Sequence, residues 1–194
     1  KNALVIGSEN LSKVINWEDR KTCVLFADGA AAVVLSKSES EGIIDSICKS
    51  YGDNGEFLSI GGRDIKNPFM DESISKYQYL DMDGSEIFKF ATSSVISSIK
   101  DILQKNNMTI DDIDYIVPHQ ANVRIIEYVA KKLKTSMDKF YMNIDTYGNT
   151  SSASIPLALN EMYNKGILQK GQNLLLVGFG GGLTYGSCLI KWSI

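Results

Sequence analysis

Ile116-Val117-Pro118-His119-Gln120-Ala121-Asn122 is the stretch on which the reading of this chain turns. It holds the only histidine among 194 residues, at the point where an apolar strand over residues 114–117 meets a proline and a helix begins. A second polar island, Gly148-Asn149-Thr150-Ser151-Ser152, repeats that order of strand, short turn and helix. In an α/β fold, strand ends and helix starts gather along one edge of the sheet, and ligands bind there. His119 and Asn149 are therefore candidates to face one substrate.

The segments around these islands alternate between the two periodicities. Residues 3–8 and 22–36 read as strands, the second interrupted at Ala27-Asp28-Gly29, where a glycine marks a bulge or a close backbone approach. Glu39-Ser40-Glu41-Gly42 reads as a boundary that divides the chain into 1–40 and 41–194, and residues 43–50 open the second unit as a strand. Residues 51–81 show no sustained period, which fits a binding loop or lid. A long helix is expected over 84–105, with Ile87, Phe90, Ala91, Val95, Ile99 and Ile102 near helical spacing. A second helix over 121–133 carries Val123, Ile126, Val129, Ala130 and Leu133 as its apolar stripe, and a strand is expected over 140–144. The helix after Asn149 tolerates Pro156 only in its first turn, and Gly166 is a natural stop. Two closing strands, 173–179 and 183–192, are joined by Gly180-Gly181-Gly182, a link short enough to require an antiparallel hairpin. Alternating strands and helices up to that hairpin predict a mostly parallel sheet flanked by helices.

Composition removes several classes of function. An apolar share of 44% and a charged share of 22% belong to folded globular chains rather than disordered ones. A net charge of −3 gives no global signal for nucleic acid, so an electrostatic partner has to be met by a local patch. No apolar run reaches the roughly 18 residues of a membrane span. Cys23, Cys48 and Cys188 are odd in number and lack metal-ligand spacing, which argues against a disulfide framework and a metal site and for a reducing, cytoplasmic compartment. All three fall in expected strands, where nothing lowers a thiol pKa as a helix start would, so they read as inert core residues. A histidine paired with an asparagine points to thiol chemistry, and the thiol would then lie outside this chain. The abrupt apolar start at residues 3–7, without a methionine before it, is read as the beginning of a piece of a longer protein.

Taken singly, each motif has a plainer reading. A lone histidine is often structural, Gly-Asn is a common turn pair, and a glycine run that opens no helix is a turn rather than a dinucleotide fingerprint. Arg124 and Lys131, seven residues apart, share a helix face with Lys132 and Lys134 nearby. Such a face is ordinarily solvated surface, but in an acidic chain beside a candidate site it is also suited to an acidic partner.

Together, Val117-Pro118-His119-Gln120-Ala121-Asn122 with Arg124, Gly148-Asn149-Thr150-Ser151, Phe179-Gly180-Gly181-Gly182 and Phe26-Ala27-Asp28-Gly29-Ala30 resemble β-ketoacyl-acyl carrier protein synthase III, of the thiolase-like superfamily. The resemblance runs in order over essentially the whole chain. It implies an α/β thiolase-like fold: a C-terminal βαβαβ half with a mixed five-stranded sheet flanked by helices, plus the last strands of an N-terminal half. The family uses a Cys-His-Asn triad, of which His119 and Asn149 match the last two members; the cysteine would lie before Lys1, leaving this chain inactive alone. The implied reaction is a decarboxylating condensation of acyl-coenzyme A, acetyl-coenzyme A for instance, with malonyl-carrier protein that starts fatty acid synthesis. No cofactor is implied beyond the coenzyme A thioester as substrate.

The resemblance also carries over binding positions. Arg20 matches an arginine that stacks on the coenzyme A adenine; Met82, Gly84, Phe88, Ala121, Asn122, Phe179 and Gly181 match residues of the pantetheine tunnel and acyl pocket. Ser85 stands where relatives often have an asparagine against the pantetheine, and Lys21 where a glycine commonly follows the arginine. Lys89, Arg124, Lys131 and Lys132 match a basic patch for the acyl carrier protein. A homodimer is implied for the full-length enzyme, with no nucleic acid and no membrane partner. Two other functions fit the same residues: a related condensing enzyme or acyltransferase of secondary metabolism, and a non-catalytic module that binds coenzyme A or carrier protein.

Overall fold

The structure is a computed structural model that describes residues 1–39, 42–61, 69 and 79–194. Strands β1 (Asn2–Glu9) and β2 (Gly29–Ser36) pair antiparallel into a separate two-stranded sheet, with Asn2 opposite Ser36 and Glu9 opposite Gly29. Then follow β3 (Ile43–Ser50), the short antiparallel pair β4 (Leu58–Ile60) and β5 (Leu80–Met82), helix α1 (Gly84–Lys105), β6 (Tyr115–Pro118) and α2 (Val123–Leu133). A single helical turn α3 (Ile144–Tyr147), helix α4 (Ser154–Asn164) and the closing strands β7 (Asn173–Gly180) and β8 (Thr184–Lys191) complete the chain.

The central sheet runs β3-β8-β7-β6, with β6 parallel to β7 and the other pairs antiparallel, so the expected mostly parallel sheet is instead a mixed one, the closing hairpin and β3 supplying the antiparallel pairs. Helices cover both of its faces, so its inner strands are apolar at consecutive positions instead of alternating. Ile116 and Leu175 point to the layer of α1 and α2, packed with Val95, Ile99, Ile126 and Val129. Their neighbours Val117 and Leu174 point the other way, to Ala158 and Met162 of α4. Helix α1 starts where Asp83 accepts hydrogen bonds from the Ser85 and Glu86 amides, each at 3.0 Å. Pro156 is the third residue of α4, within the first turn, where no intrahelical N–H is missed. Gly166, at φ +68°, follows the end of that helix.

Several local expectations are corrected. Residues 22–25 are a turn, not strand: the Asp19 carbonyl accepts the Thr22 and Cys23 amides at 3.2 and 3.0 Å, and its carboxylate accepts the Lys21 amide at 3.0 Å. This aspartate turn outweighs the β preference of Thr22-Cys23-Val24; Phe26 alone makes a bridge, with Asn149. The fifth strand of the sheet is reduced to a single parallel bridge of Phe140 with Ile116, because the chain turns immediately into α3. In α2, Val123 is the exposed first residue and Ile125 takes its place in the core. Cys23 lies in the turn and Cys48 is exposed, since β3 is an edge strand. Cys23 in its turn and Cys188 in β8 are both half-buried; only Cys188 combines burial with its expected place in a strand, and burial pushes its thiol pKa up. Of the expected 51–81 loop, the described part holds 3-10 turns over Gly52–Phe57 and the β4–β5 pair; the remainder, like Ser40 and Glu41 of the expected boundary, lies outside the described residues. Among the described residues no helix is long and apolar enough to cross a membrane.

Candidate active site

His119 follows β6 directly, and its amide donates to Val177 O at 2.8 Å, continuing the β6–β7 ladder by one residue. Gln120 then fixes the chain as it leaves the sheet. Its side chain is fully buried; Nε2 donates to Pro118 O at 2.8 Å and to Tyr141 O at 3.1 Å, and Oε1 accepts the Asn143 amide at 3.0 Å. Asn122 caps α2 by accepting the Arg124 amide at 2.9 Å. Between these anchors the imidazole of His119 has Nδ1 at 2.7 Å from Ser154 Oγ, and its ring meets Phe179 edge-on with centroids 5.3 Å apart. Burial lowers the His119 pKa to about 4, opposed in part by the charge of Glu9. The ring is therefore neutral at ordinary pH.

Asn149 is held by a different set of elements. Gly148, at φ +69°, makes the turn before it, a conformation open to glycine. The Asn149 amide donates to Leu25 O at 3.3 Å, and its carbonyl accepts the Ala27 amide at 2.8 Å, so the segment after the aspartate turn grips both backbone groups. Its side-chain Oδ1 accepts the Ser151 amide at 3.0 Å. Only the oxygen can accept that bond, so the NH2 end of the carboxamide is the one left for the cavity. Ser151 sits at φ +49°, a left-handed conformation costing about 1 kcal/mol or more outside glycine. The turn is steadied from β1: the Glu9 carboxylate accepts both the hydroxyl and the amide of Ser152, and Gly7 packs against the Ser152 carbonyl.

His119 and Asn149 line the same cavity of about 660 Å³. Its apolar wall includes Ile87, Phe90, Ile125, Ile155 and Tyr185. Of the residues singled out from the sequence, Met82, Gly84, Phe88, Ala121, Asn122, Phe179 and Gly181 also line it. Arg20 lies instead on the exposed turn after Asp19, and Ser85 is exposed in the first turn of α1, where its amide is committed to Asp83. Lys89 forms an ion pair with Glu86 at 2.7 Å. Arg124, Lys131 and Lys132 are exposed on α2, and the Lys132 ammonium stands 5.4 Å from the ring centre of Tyr128. Among the described residues no group of three or more His, Cys, Asp or Glu side chains is placed to hold a metal.

Sequence reasoning missed Ser154 and Glu9. Ser154 had a local signal, a serine one turn beyond Asn149 at the start of a helix. Glu9 had none, since its contact with Ser152 spans 143 positions.

A strand-end histidine and a turn asparagine meeting over one cavity are set here in an α/β fold of the thiolase-like class. Solved structures of 3-oxoacyl-[acyl-carrier-protein] synthase III from Aquifex aeolicus VF5 and β-ketoacyl-[acyl-carrier-protein] synthase III from Thermus thermophilus match it with TM-scores of 0.88 and 0.89. They are 40% and 37% identical; each match covers 99% of this chain, and 58% and 59% of the respective structures. The family model for 3-oxoacyl-[acyl-carrier-protein] synthase III matches residues 1–52, and that for the C terminal of the same enzymes matches residues 103–192. The β-ketoacyl-[acyl-carrier-protein] synthase III of Clostridium novyi (strain NT) is 58% identical over 193 residues, all of this chain and 60% of the relative. The chain belongs to the β-ketoacyl-acyl carrier protein synthase III family. It spans about 60% of the length of the curated relatives it matches.

Proposed function

We propose that His119 and Asn149 stabilise the enolate formed when malonyl-carrier protein loses CO2, within an acyl-coenzyme A condensing enzyme that starts fatty acid synthesis. The observation that carries this reading is the orientation of Asn149: with Oδ1 bound to the Ser151 amide, its N–H donors remain for the cavity that His119 shares. When the malonyl C–C bond breaks, the electron pair moves onto the α-carbon and the thioester oxygen. Two neutral donors near that oxygen stabilise the charge as it develops, each lowering the barrier by about 2.7 to 4 kcal/mol. The carbanion then attacks an acyl thioester, forming the new C–C bond and expelling the thiolate that carried the acyl group. A neutral imidazole suits this role, because an imidazolium would be costly to hold in a buried site.

The acyl-accepting thiol is proposed to come from outside these 194 residues. Cys188 is disfavoured as a thiolate by burial, Cys23 belongs to a turn away from the cavity lining, and Cys48 lies on the edge strand β3 with no helix start to activate it. The chemistry needs no resident cofactor, with coenzyme A entering only as substrate. Arg20 and Ser85 would contact coenzyme A from the surface, and Arg124, Lys131 and Lys132 would meet the acidic carrier protein. A cytoplasmic homodimer is the assembly in which we place the full-length enzyme.

The test is CO2 release from malonyl-carrier protein with acetyl-coenzyme A. The 194-residue chain alone should form no β-ketoacyl product, for want of the acyl-accepting thiol, whereas the same residues in a polypeptide of the relatives' length should condense. In that longer protein, His119→Ala or Asn149→Ala should each lower kcat by about 10² to 10³. Undiminished decarboxylation in either variant would overturn the donor role.

A further inference from the structure

We infer that Ser154 is a positioning residue that sets the tautomer of His119: its hydroxyl donates to Nδ1, so that Nε2 carries the proton offered to the cavity. Ser154 is 2% exposed, in the first turn of α4, and its Oγ has three neighbours. These are His119 Nδ1 at 2.7 Å, Ser151 O at 2.8 Å and the Gln120 amide at 3.4 Å. A hydroxyl carries one proton and two lone pairs. The Gln120 N–H can only donate and takes one lone pair, so the open question is whether the hydroxyl proton goes to Ser151 O or to Nδ1.

Ser151 O does not depend on that proton, because it already accepts the Ser154 backbone amide in the 3-10 turn. For Nδ1, Ser154 Oγ is the hydrogen-bond partner that the structure provides. If the hydroxyl turns to Nδ1, the carbonyl stays satisfied, the imidazole acceptor is satisfied, and Nε2 is protonated. If it turns to Ser151 O, Nδ1 must carry the proton and Nε2 faces the cavity as a bare lone pair. The two arrangements use the same heavy atoms and differ in what the cavity meets: a donor in the first, an acceptor in the second. A developing oxyanion is stabilised only by the first. The inference therefore deepens the proposed role of His119 and rests on it for its catalytic consequence. The tautomer itself can be read without any turnover.

His119 is the only histidine of the chain, so labelling histidine with 15N gives one pair of ring-nitrogen resonances, whose assignment is checked by their loss in His119→Gln. Long-range 1H–15N correlation at pH 7 should show Nε2 protonated and Nδ1 bare in the wild type. In Ser154→Ala the bias between tautomers should fall by about tenfold, the worth of one hydrogen bond, and Ser154→Thr, which keeps a hydroxyl, should restore it. A wild-type spectrum with Nδ1 protonated would overturn the inference, and so would a Ser154→Ala spectrum identical to wild type. The wild-type spectrum decides even if the alanine variant does not fold. An Nε2–H tautomer together with undiminished decarboxylation in His119→Ala would leave the Ser154 assignment standing and remove the donor role instead.

Discussion

The two halves of the candidate site are built by different means. His119 is an extension of regular structure: the β6–β7 ladder supplies its backbone partner, and Gln120, the next residue, fastens the exit by three hydrogen bonds. Asn149 stands in irregular structure assembled from distant parts of the chain. Its turn needs Gly148 and Ser151 at positive φ, the Leu25 and Ala27 backbone groups, and the β1 residues Gly7 and Glu9. One half hangs on the central sheet and the residue next to it, and the other on turns and strands from elsewhere in the chain. The difference teaches that the asparagine side should be the more easily broken from far away.

The largest effect is expected at Gly7. A Cβ there would lie 2.6 Å from Ser152 O and 2.9 Å from the Ala153 amide nitrogen, both backbone atoms that cannot swing aside. Gly7→Val should destabilise by about 3 kcal/mol, at the upper end of overpacking costs, measured by urea denaturation. Its displacement should reach the Asn149 turn while leaving the β6–β7 ladder protected in hydrogen exchange. Equal loss of protection in both regions would show that the histidine side depends on β1 as much as the asparagine side does.

The histidine side is broken instead by acid. With its pKa lowered to about 4 in the fold and near 6.5 unfolded, His119 binds its proton more weakly in the native state. Between those values the unfolded chain holds more protons, so stability rises with pH through that window and is fully present above pH 6.5. Going down from pH 7 to below 4 should lose about 3 kcal/mol through this group. Asp28, Asp45, Asp112 and Glu161, whose pKa values are lowered by their hydrogen bonds, lose their contributions at lower pH still. Denaturation midpoints measured from pH 7 to 4 should therefore slope in the wild type and lie nearly flat in His119→Gln.

A smaller loss, about 2 kcal/mol, is expected for Gln120→Ala, because Pro118 O, Tyr141 O and the Asn143 amide lose a buried partner together. Urea denaturation of this variant measures how far the local fastening of His119 matters. A cost under about 0.5 kcal/mol would show that the ladder alone holds the residue.

What the sequence shows and hides follows the same division. Helix α1 was readable to the residue, because Ala91, Val95, Ile99 and Ile102 recur at helical spacing and are all buried. The closing hairpin was equally plain, since Gly180-Gly181-Gly182 leaves no room for a crossover. His119 at a strand end was visible for the same reason: every clue to it is local. The turn over residues 22–25 was not, because valine, threonine and cysteine carry a β signal that one aspartate overrides by backbone hydrogen bonding. The fifth strand near Phe140 failed for want of pairing length, which periodicity cannot reveal. The cavity lining was legible only through the family resemblance, and the Ser154 contact needs the geometry that brings α4 beneath β6.

The smallest expected effect lies at Glu9, which bonds one half and acts on the other through its charge. Glu9 accepts two hydrogen bonds from Ser152 on the asparagine side, and its charge raises the pKa of His119 on the other. Glu9→Gln keeps an oxygen for Ser152 and removes the charge, so it should cost about 1 kcal/mol or less, the difference between a charged and a neutral hydrogen bond. Removing a negative charge leaves desolvation unopposed, so the His119 pKa should fall further below its ordinary value. The steep part of the stability curve in acid should then extend to lower pH, with no change of slope above pH 6.5. Titration of the single histidine by NMR measures the shift directly. A rise in its pKa, or none, would mean that the two halves share a cavity without sharing a charge.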